Sequence, residues 1–181
     1  MKKKVSTLDD GMRTFVIHGP FTVVNLSINA ISFFRQDDPK ILFGKIDGAS
    51  SCANHRGCYI FAKRFGDSFT PLYVGKTKKQ DFQSEAFALH KQKKCIMELV
   101  KPSRGELVLF LLSPDRKPRL VSKEILGRLE KYLIREAALR NPDLWNEYGT
   151  KPDPFRIAGI HGARRGKKAC VIASFKKMLF S

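Results

Sequence analysis

Two tyrosines, a glycine and a lysine stand close together in this chain, Tyr59 in the run CYIFA and Tyr73, Gly75 and Lys76 in the run PLYVGK. Two phenols and an ammonium gathered at one edge suit a phosphodiester. The two apolar runs are joined by a polar connector carrying Gly66, Asp67 and Ser68, which predicts a β-hairpin with a longer loop. Pairing of its strands brings Tyr59 and Tyr73 to one surface, and Gly75 lets a ligand approach the backbone. Taken singly, each residue has a plainer reading. Tyrosines are common strand aromatics, and a lysine in a turn is most often solvated.

The elements that must position these groups follow in order. Lys76 to Gln80 form a basic turn, and Asp81 can cap a helix over 82–99. On a wheel of about 100° per residue, Phe82, Ala86, Leu89, Ile96, Met97 and Val100 share its apolar face, with His90 at the margin. ELVLFLLS has the length and continuity of a buried strand over 106–113. Ser122 can cap a second helix over 122–140, with an apolar arc of Ile125, Leu126, Leu129, Leu133, Ile134 and Ala137. Glu130 falls inside that arc. A carboxylate there needs a cation, whether a metal or a basic side chain, because leaving it unpaired is costly. Asn141-Pro142 stops the helix, and Trp145 and Asn146 follow. Upstream, residues 1–14 read as frayed, TVVNLSIN (22–29) as an alternating strand, and ILFGKIDGASSCANHRG as one short strand and a loop.

The chain of 181 residues carries 34 Lys+Arg against 17 Asp+Glu, a net charge of +17. Residues 1–56 contribute +3, 57–148 +7 and 149–181 +7. An excess of this size favours a polyanionic partner, with nucleic acid ahead of an anionic membrane, since no basic amphipathic helix or lipidation signal is evident. The tail interleaves Gly159, Gly162 and Gly166 with Arg164, Arg165, Lys167 and Lys168, a composition suited to tracking a phosphate backbone. VIASFKKMLF closes the chain as a short strand or helix. The absence of a membrane-length apolar run or a secretory core predicts a soluble, cytoplasmic protein. Four scattered cysteines without a CxxC pair suit reduced thiols. Cys52, His55 and Cys58 have even spacing, but they lack a fourth ligand and Cys58 sits in a strand pattern, which disfavours a zinc site.

GCYIFA, then LYVGKT, a helix with His90, a strand, and the helix LEKYLIREAALRNPDLWN resemble the GIY-YIG nuclease family in motif type and order. The resemblance covers 57–148, about half the chain. It implies an α+β fold with a small three-stranded antiparallel sheet flanked by helices; outside it, the residue pattern gives an N-terminal extension with short strands over 1–56 and a basic C-terminal segment over 149–181 that packs on the domain or binds nucleic acid. It also implies an endonuclease acting on nucleic acid, DNA foremost, with one Mg²⁺ or Mn²⁺. Gly57, Cys58 and Tyr59 match the first tripeptide, with Cys replacing the usual Ile or Val, and Tyr73, Val74 and Gly75 match the second. By the resemblance Tyr59, Tyr73, Lys76, His90 and Asn146 are catalytic and Glu130 holds the metal; on charge, Lys78, Lys79, Arg164, Arg165, Lys167 and Lys168 are the residues expected to grip the nucleic acid. Asn146 follows Glu130 at a spacing about one helical turn longer than in the repair members.

A phenol with its pKa near 10 is a poor base unless cations lower it, a role expected of Lys76 and the metal. The family's phosphate-gripping Arg on the first helix has no counterpart, because its slot falls on Ala86, and Glu85 adds negative charge nearby. Loss of such a donor costs about 3 kcal/mol of transition-state stabilisation. Lys76 or Arg164 can substitute, or the domain binds nucleic acid without cutting it.

Overall fold

The most apolar stretch of the chain lies at the centre of a mixed sheet. β4 (Glu106–Pro114) is buried along almost its whole length. Leu107, Leu109 and Leu111 face one core, and Val108, Phe110 and Leu112 the other. A strand covered on both faces has no polar side to show, which is why ELVLFLLS reads as a continuous apolar run. In this computed structural model the described residues are 14–25, 34, 38–77, 79–99, 105–116, 121–146, 156–158 and 167–180.

β4 is flanked by β1 (Thr14–Asn25) and β2 (Cys58–Phe65), both antiparallel to it. β3 (Ser68–Lys76) pairs antiparallel with β2, and a short β5 (Arg156–Ala158) runs parallel to β1. The order is β3-β2-β4-β1-β5. The three strands expected over 57–148 are therefore the inner part of a larger sheet, and the fold is α+β with four antiparallel strands plus this short parallel addition. The hairpin turn is tighter than its composition suggests. Phe65 pairs with Ser68, so only Gly66 and Asp67 lie between the strands, with Gly66 at φ +56°.

The amino-terminal third departs from the sequence reading. The strand begins at Thr14, eight residues before the expected start, and the far end of the expected segment lies outside the described residues. In place of a short strand after Pro39 there is a helix, α1 (Pro39–Gly44), followed by a 3₁₀ turn at Ser50–Cys52. Asp38 accepts from the Lys40 amide at 2.8 Å and Pro39 occupies the first turn, an N-terminal signature that outweighs the strand-like ILF run.

The helix expected over 82–99 is broken in two, α2 (Phe82–Glu85) and α3 (Leu89–Leu99). The break changes which residues face inward. Leu89 and Met97 are 56% and 66% exposed, while Phe82, Ala86, Phe87, Lys91, Gln92 and Cys95 are buried. Lys91 Nζ donates to the Glu85 carbonyl at 2.5 Å and Gln92 Nε2 to the Phe87 carbonyl at 2.8 Å. Two buried polar side chains thus satisfy carbonyls near the interruption.

α4 (Lys123–Arg140) matches its expectation closely. Ser122 Oγ accepts from the Ile125 amide at 3.2 Å, and Leu126, Leu129, Leu133, Ile134 and Ala137 are buried. α4 packs on one face of the sheet together with α5 (Lys167–Phe180), which contributes Phe175, Met178 and Leu179 to that core. α1, the 3₁₀ turn, α2 and α3 supply the core on the other face. Among the described residues no helix is long and apolar enough to cross a membrane.

Candidate functional site

The hairpin end, the turn before α2, the last residue of α2 and the first turn of α4 enclose an open cleft of ≈ 560 Å³, lined by Lys76, Thr77, Lys79, Gln80, Glu85 and Lys123. This volume falls in the range of small-ligand sites. Gly57 permits the close packing behind it: a Cβ there would meet the Leu112 carbonyl oxygen at 1.8 Å. Thr77 ties the strand ends together, its Oγ1 accepting from the Gly57 amide at 3.0 Å and its own amide donating to the Gly57 carbonyl at 2.9 Å.

Glu130 reaches the cleft wall from α4. Its Oε2 lies 2.7 Å from Lys76 Nζ, with the two side chains 21% and 28% exposed. The ambiguity left by the helix wheel is thereby resolved in this state: the carboxylate has a basic side-chain partner, and the partner is the motif lysine. α4 comes near enough for Lys76 Nζ to stand 3.3 Å from where a Cβ at Gly127 would be.

The two tyrosines differ in burial. Tyr59 is fully buried, pairs across the hairpin with Gly75, and has a hydroxyl with no hydrogen-bond partner of normal geometry. A Cβ at Gly75 would meet that hydroxyl at 2.4 Å, so Gly75 makes room for the Tyr59 phenol and not for an external ligand. Tyr73 is half-buried, with its ring centroid 6.2 Å from that of Tyr59 and 6.5 Å from that of Trp145. Burial, then the Glu130 and Glu85 carboxylates, push Tyr73 up to about 12, while the adjacent Tyr59 hydroxyl acts weakly the other way. Burial, and then Tyr73 and the two carboxylates, raise Tyr59 well above 10. Both phenols are therefore neutral here. The expectation that Lys76 lowers them is reversed, because burial dominates and Lys76 is spent on Glu130.

Basic side chains do reach the tyrosines, from residues that the sequence reading passed over. Lys91 is 3% exposed, sits 4.9 Å from the Tyr59 ring centroid, and pairs with Glu85 Oε1 at 2.9 Å. Lys94 Nζ lies 5.4 Å from the Tyr73 ring centroid and donates to the Trp145 carbonyl at 2.8 Å. On an unbroken helix Lys91 points about 180° away from Phe82, and only the interruption turns it inward. Glu85, expected to repel phosphate, has its charge answered by Lys91.

Asn146 is held at the sheet edge. Its Oδ1 accepts from the Val74 amide at 2.7 Å and its Nδ2 donates to the Val74 carbonyl at 2.6 Å. The Trp145 amide bonds the Leu72 carbonyl and Asn141 Nδ2 the Pro71 carbonyl, so residues 141–146 cover the open side of β3. Asn146 positions the strand that carries Tyr73 and Lys76. Its side-chain amide makes both of these bonds to the one strand residue.

His90 stands exposed in the first turn of α3. Lys79 lines the cleft, while Lys78, Arg164 and Arg165 lie outside the described residues. Lys167 and Lys168 begin α5, so they belong to a helix and not to a loop. Cys58 and Cys52 occupy opposite cores, with Cys58 Sγ 3.6 Å from the Leu126 carbonyl. The disfavoured grouping of Cys52, His55 and Cys58 is therefore not assembled. No protein-family model, curated protein or solved structure matches this chain.

Proposed function

We propose that the cleft is a GIY-YIG-type phosphodiesterase centre acting on nucleic acid, DNA foremost, with one Mg²⁺ or Mn²⁺. The observation that carries this reading is that Lys76 from the hairpin pairs with Glu130 from α4 beside a cleft bearing Lys76, Lys79 and Lys123, with Tyr73 on the same strand as Lys76. A +17 chain attracts the polyanion. Lys79 and Lys123 grip backbone phosphates flanking the scissile bond. Tyr73, a neutral phenol, donates a hydrogen bond to a phosphate oxygen or orients the attacking water. Tyr59 supports Tyr73 from behind, and Lys91 holds Glu85 away from the incoming strand.

A hard divalent cation suits the partly exposed Glu130 carboxylate beside the cleft, because Mg²⁺ commonly takes one or two carboxylates and completes its shell with water and phosphate. When bound, the ion would activate water and offset charge developing on phosphate. Lys76 competes with it for Glu130, so a substrate phosphate that draws Lys76 away frees the carboxylate. Incubation with supercoiled plasmid and Mg²⁺ tests the proposal. Nicking by the wild-type chain that is lost in Glu130→Ala and Tyr73→Phe supports it, and nicking unchanged in both variants sinks it.

A second reading is nucleic-acid binding without cleavage. It is favoured by the complete burial of Tyr59 and the pairing of Glu130 with Lys76. Salt-sensitive retention of DNA that persists in Glu130→Ala, without Mg²⁺-stimulated nicking by the wild type, identifies it.

A further inference from the structure

Away from the cleft, three side chains with metal-binding atoms converge. His18 on β1, Cys52 in the 3₁₀ turn and His55 just after it place one ligand atom each within 4.8 Å of one another. Cys52 is 2% exposed and the histidines are half-buried. The local chain folds to make this possible. The Cys52 amide bonds the Ala49 carbonyl and the His55 amide bonds the Cys52 carbonyl, both at 2.9 Å, so successive turns bring positions 52 and 55 side by side. The sheet supplies the third member, with the His18 and His55 ring centroids 6.0 Å apart in an edge-to-face arrangement.

We infer that His18, Cys52 and His55 form a binding site for Zn²⁺ or a similarly borderline divalent ion. One thiolate and two imidazoles are the donors such an ion prefers, and they discriminate against Mg²⁺. A tetrahedral ion with Zn–N of about 2.0–2.1 Å and Zn–S of about 2.3 Å spaces its ligands about 3.3–3.6 Å apart, so the cluster needs only modest closure. Three protein ligands leave a fourth position for water. A supporting partner is already in place: Ser113 Oγ lies 3.0 Å from His18 Nε2, the kind of contact that orients a ligating ring. The bound ion ties β1 to the loop entering β2, whose His55 carbonyl also accepts from the Phe82 amide at the start of α2.

The site shares no residue with the cleft, so the outcome of a metal-binding test is independent of nuclease activity. The full chain, stripped with a chelator and kept reduced, is titrated with Co²⁺ as a spectroscopic probe. One Co²⁺ per chain is expected, with thiolate-to-cobalt charge-transfer absorption and the visible bands of four-coordinate cobalt, both displaced by Zn²⁺. Cys52→Ser abolishes the charge-transfer band and Cys58→Ala keeps it. His18→Ala and His55→Ala weaken binding by about 100-fold or more, and Ser113→Ala by about 10–100-fold. Zn²⁺ raises the Tm of the wild type but not that of His18→Ala. A wild-type chain without a thiolate band, or a band that survives Cys52→Ser, overturns the inference; the first result needs no variant to fold.

Discussion

Two lysine–glutamate pairs flank the hairpin, alike in chemistry and unlike in setting. Lys76–Glu130 lies at the cleft with its side chains 28% and 21% exposed, whereas Lys91–Glu85 is nearly closed to solvent at 3% and 11%. Lys91 also bonds the Glu85 carbonyl and lies over the Tyr59 ring. Separating a buried pair leaves an uncompensated charge in a poor solvent for it, while a half-exposed pair is readily replaced by water or another ion. The buried pair is thus suited to holding α2, α3 and Tyr59 together. The open pair is suited to exchanging partners.

The contrast is open to disruption in several ways. Lys91→Ala strands Glu85 and is expected to destabilise the fold by about 3–5 kcal/mol in chemical denaturation; replacing both members with Met and Leu recovers most of that loss. A cost below about 1 kcal/mol for Lys91→Ala would erase the distinction. Glu130→Ala should lower plasmid nicking by about 100-fold, equivalent to about 2.7 kcal/mol of barrier, while changing stability by about 1 kcal/mol or less. Gly75→Ala drives a methyl into the Tyr59 ring, where Cζ and the hydroxyl oxygen both stand 2.4 Å from the new Cβ, and should cost about 1–3 kcal/mol; Tyr59→Phe in the same background leaves Cζ in place and should restore little of it. Lys76→Ala frees Glu130 and removes one cleft cation, so the log–log salt slope of DNA binding should fall by about one while Mg²⁺ binds more tightly.

A further expected effect concerns pH. Tyr73 titrates at about 12 in the fold against 10 unfolded, so the folded state holds its proton more firmly. Its contribution to stability is present below pH 10 and is lost as pH rises from 10 through 12. Denaturation midpoints should therefore decline over that window, and Tyr73→Phe should flatten the decline. An identical profile in the variant would show that Tyr73 does not carry it.

The better-read part of this protein is local. The hairpin, β4 and α4 with its Ser122 cap follow from alternation, continuity and helical period, which neighbours along the chain specify. Position 130 within the apolar arc was legible for the same reason. α1 was signalled by Asp38-Pro39, a pair that the reading of ILFGKIDGASSCANHRG as a short strand and a loop left unused. The helix interruption after Glu85 was less accessible, since FQSEAFALHKQ supports an unbroken wheel and the break is stabilised by Lys91 and Gln92 reaching back to carbonyls. Asn146 could be placed after a helix but not at Val74, because an edge contact depends on where the chain returns.

By itself the sequence determined the basic character, the burial of β4, and a hairpin carrying Tyr59 on one strand and Tyr73 on the other. Tertiary structure decided that Lys76 pairs with Glu130, that Lys91 fills the space beside Tyr59, that both phenols stay neutral, and that His18 meets Cys52 and His55 instead of Cys58. The physical reason is range. Periodicity and capping act over a few residues, whereas an ion pair, a desolvated hydroxyl or a three-ligand cluster exists only once the sheet has brought distant segments together.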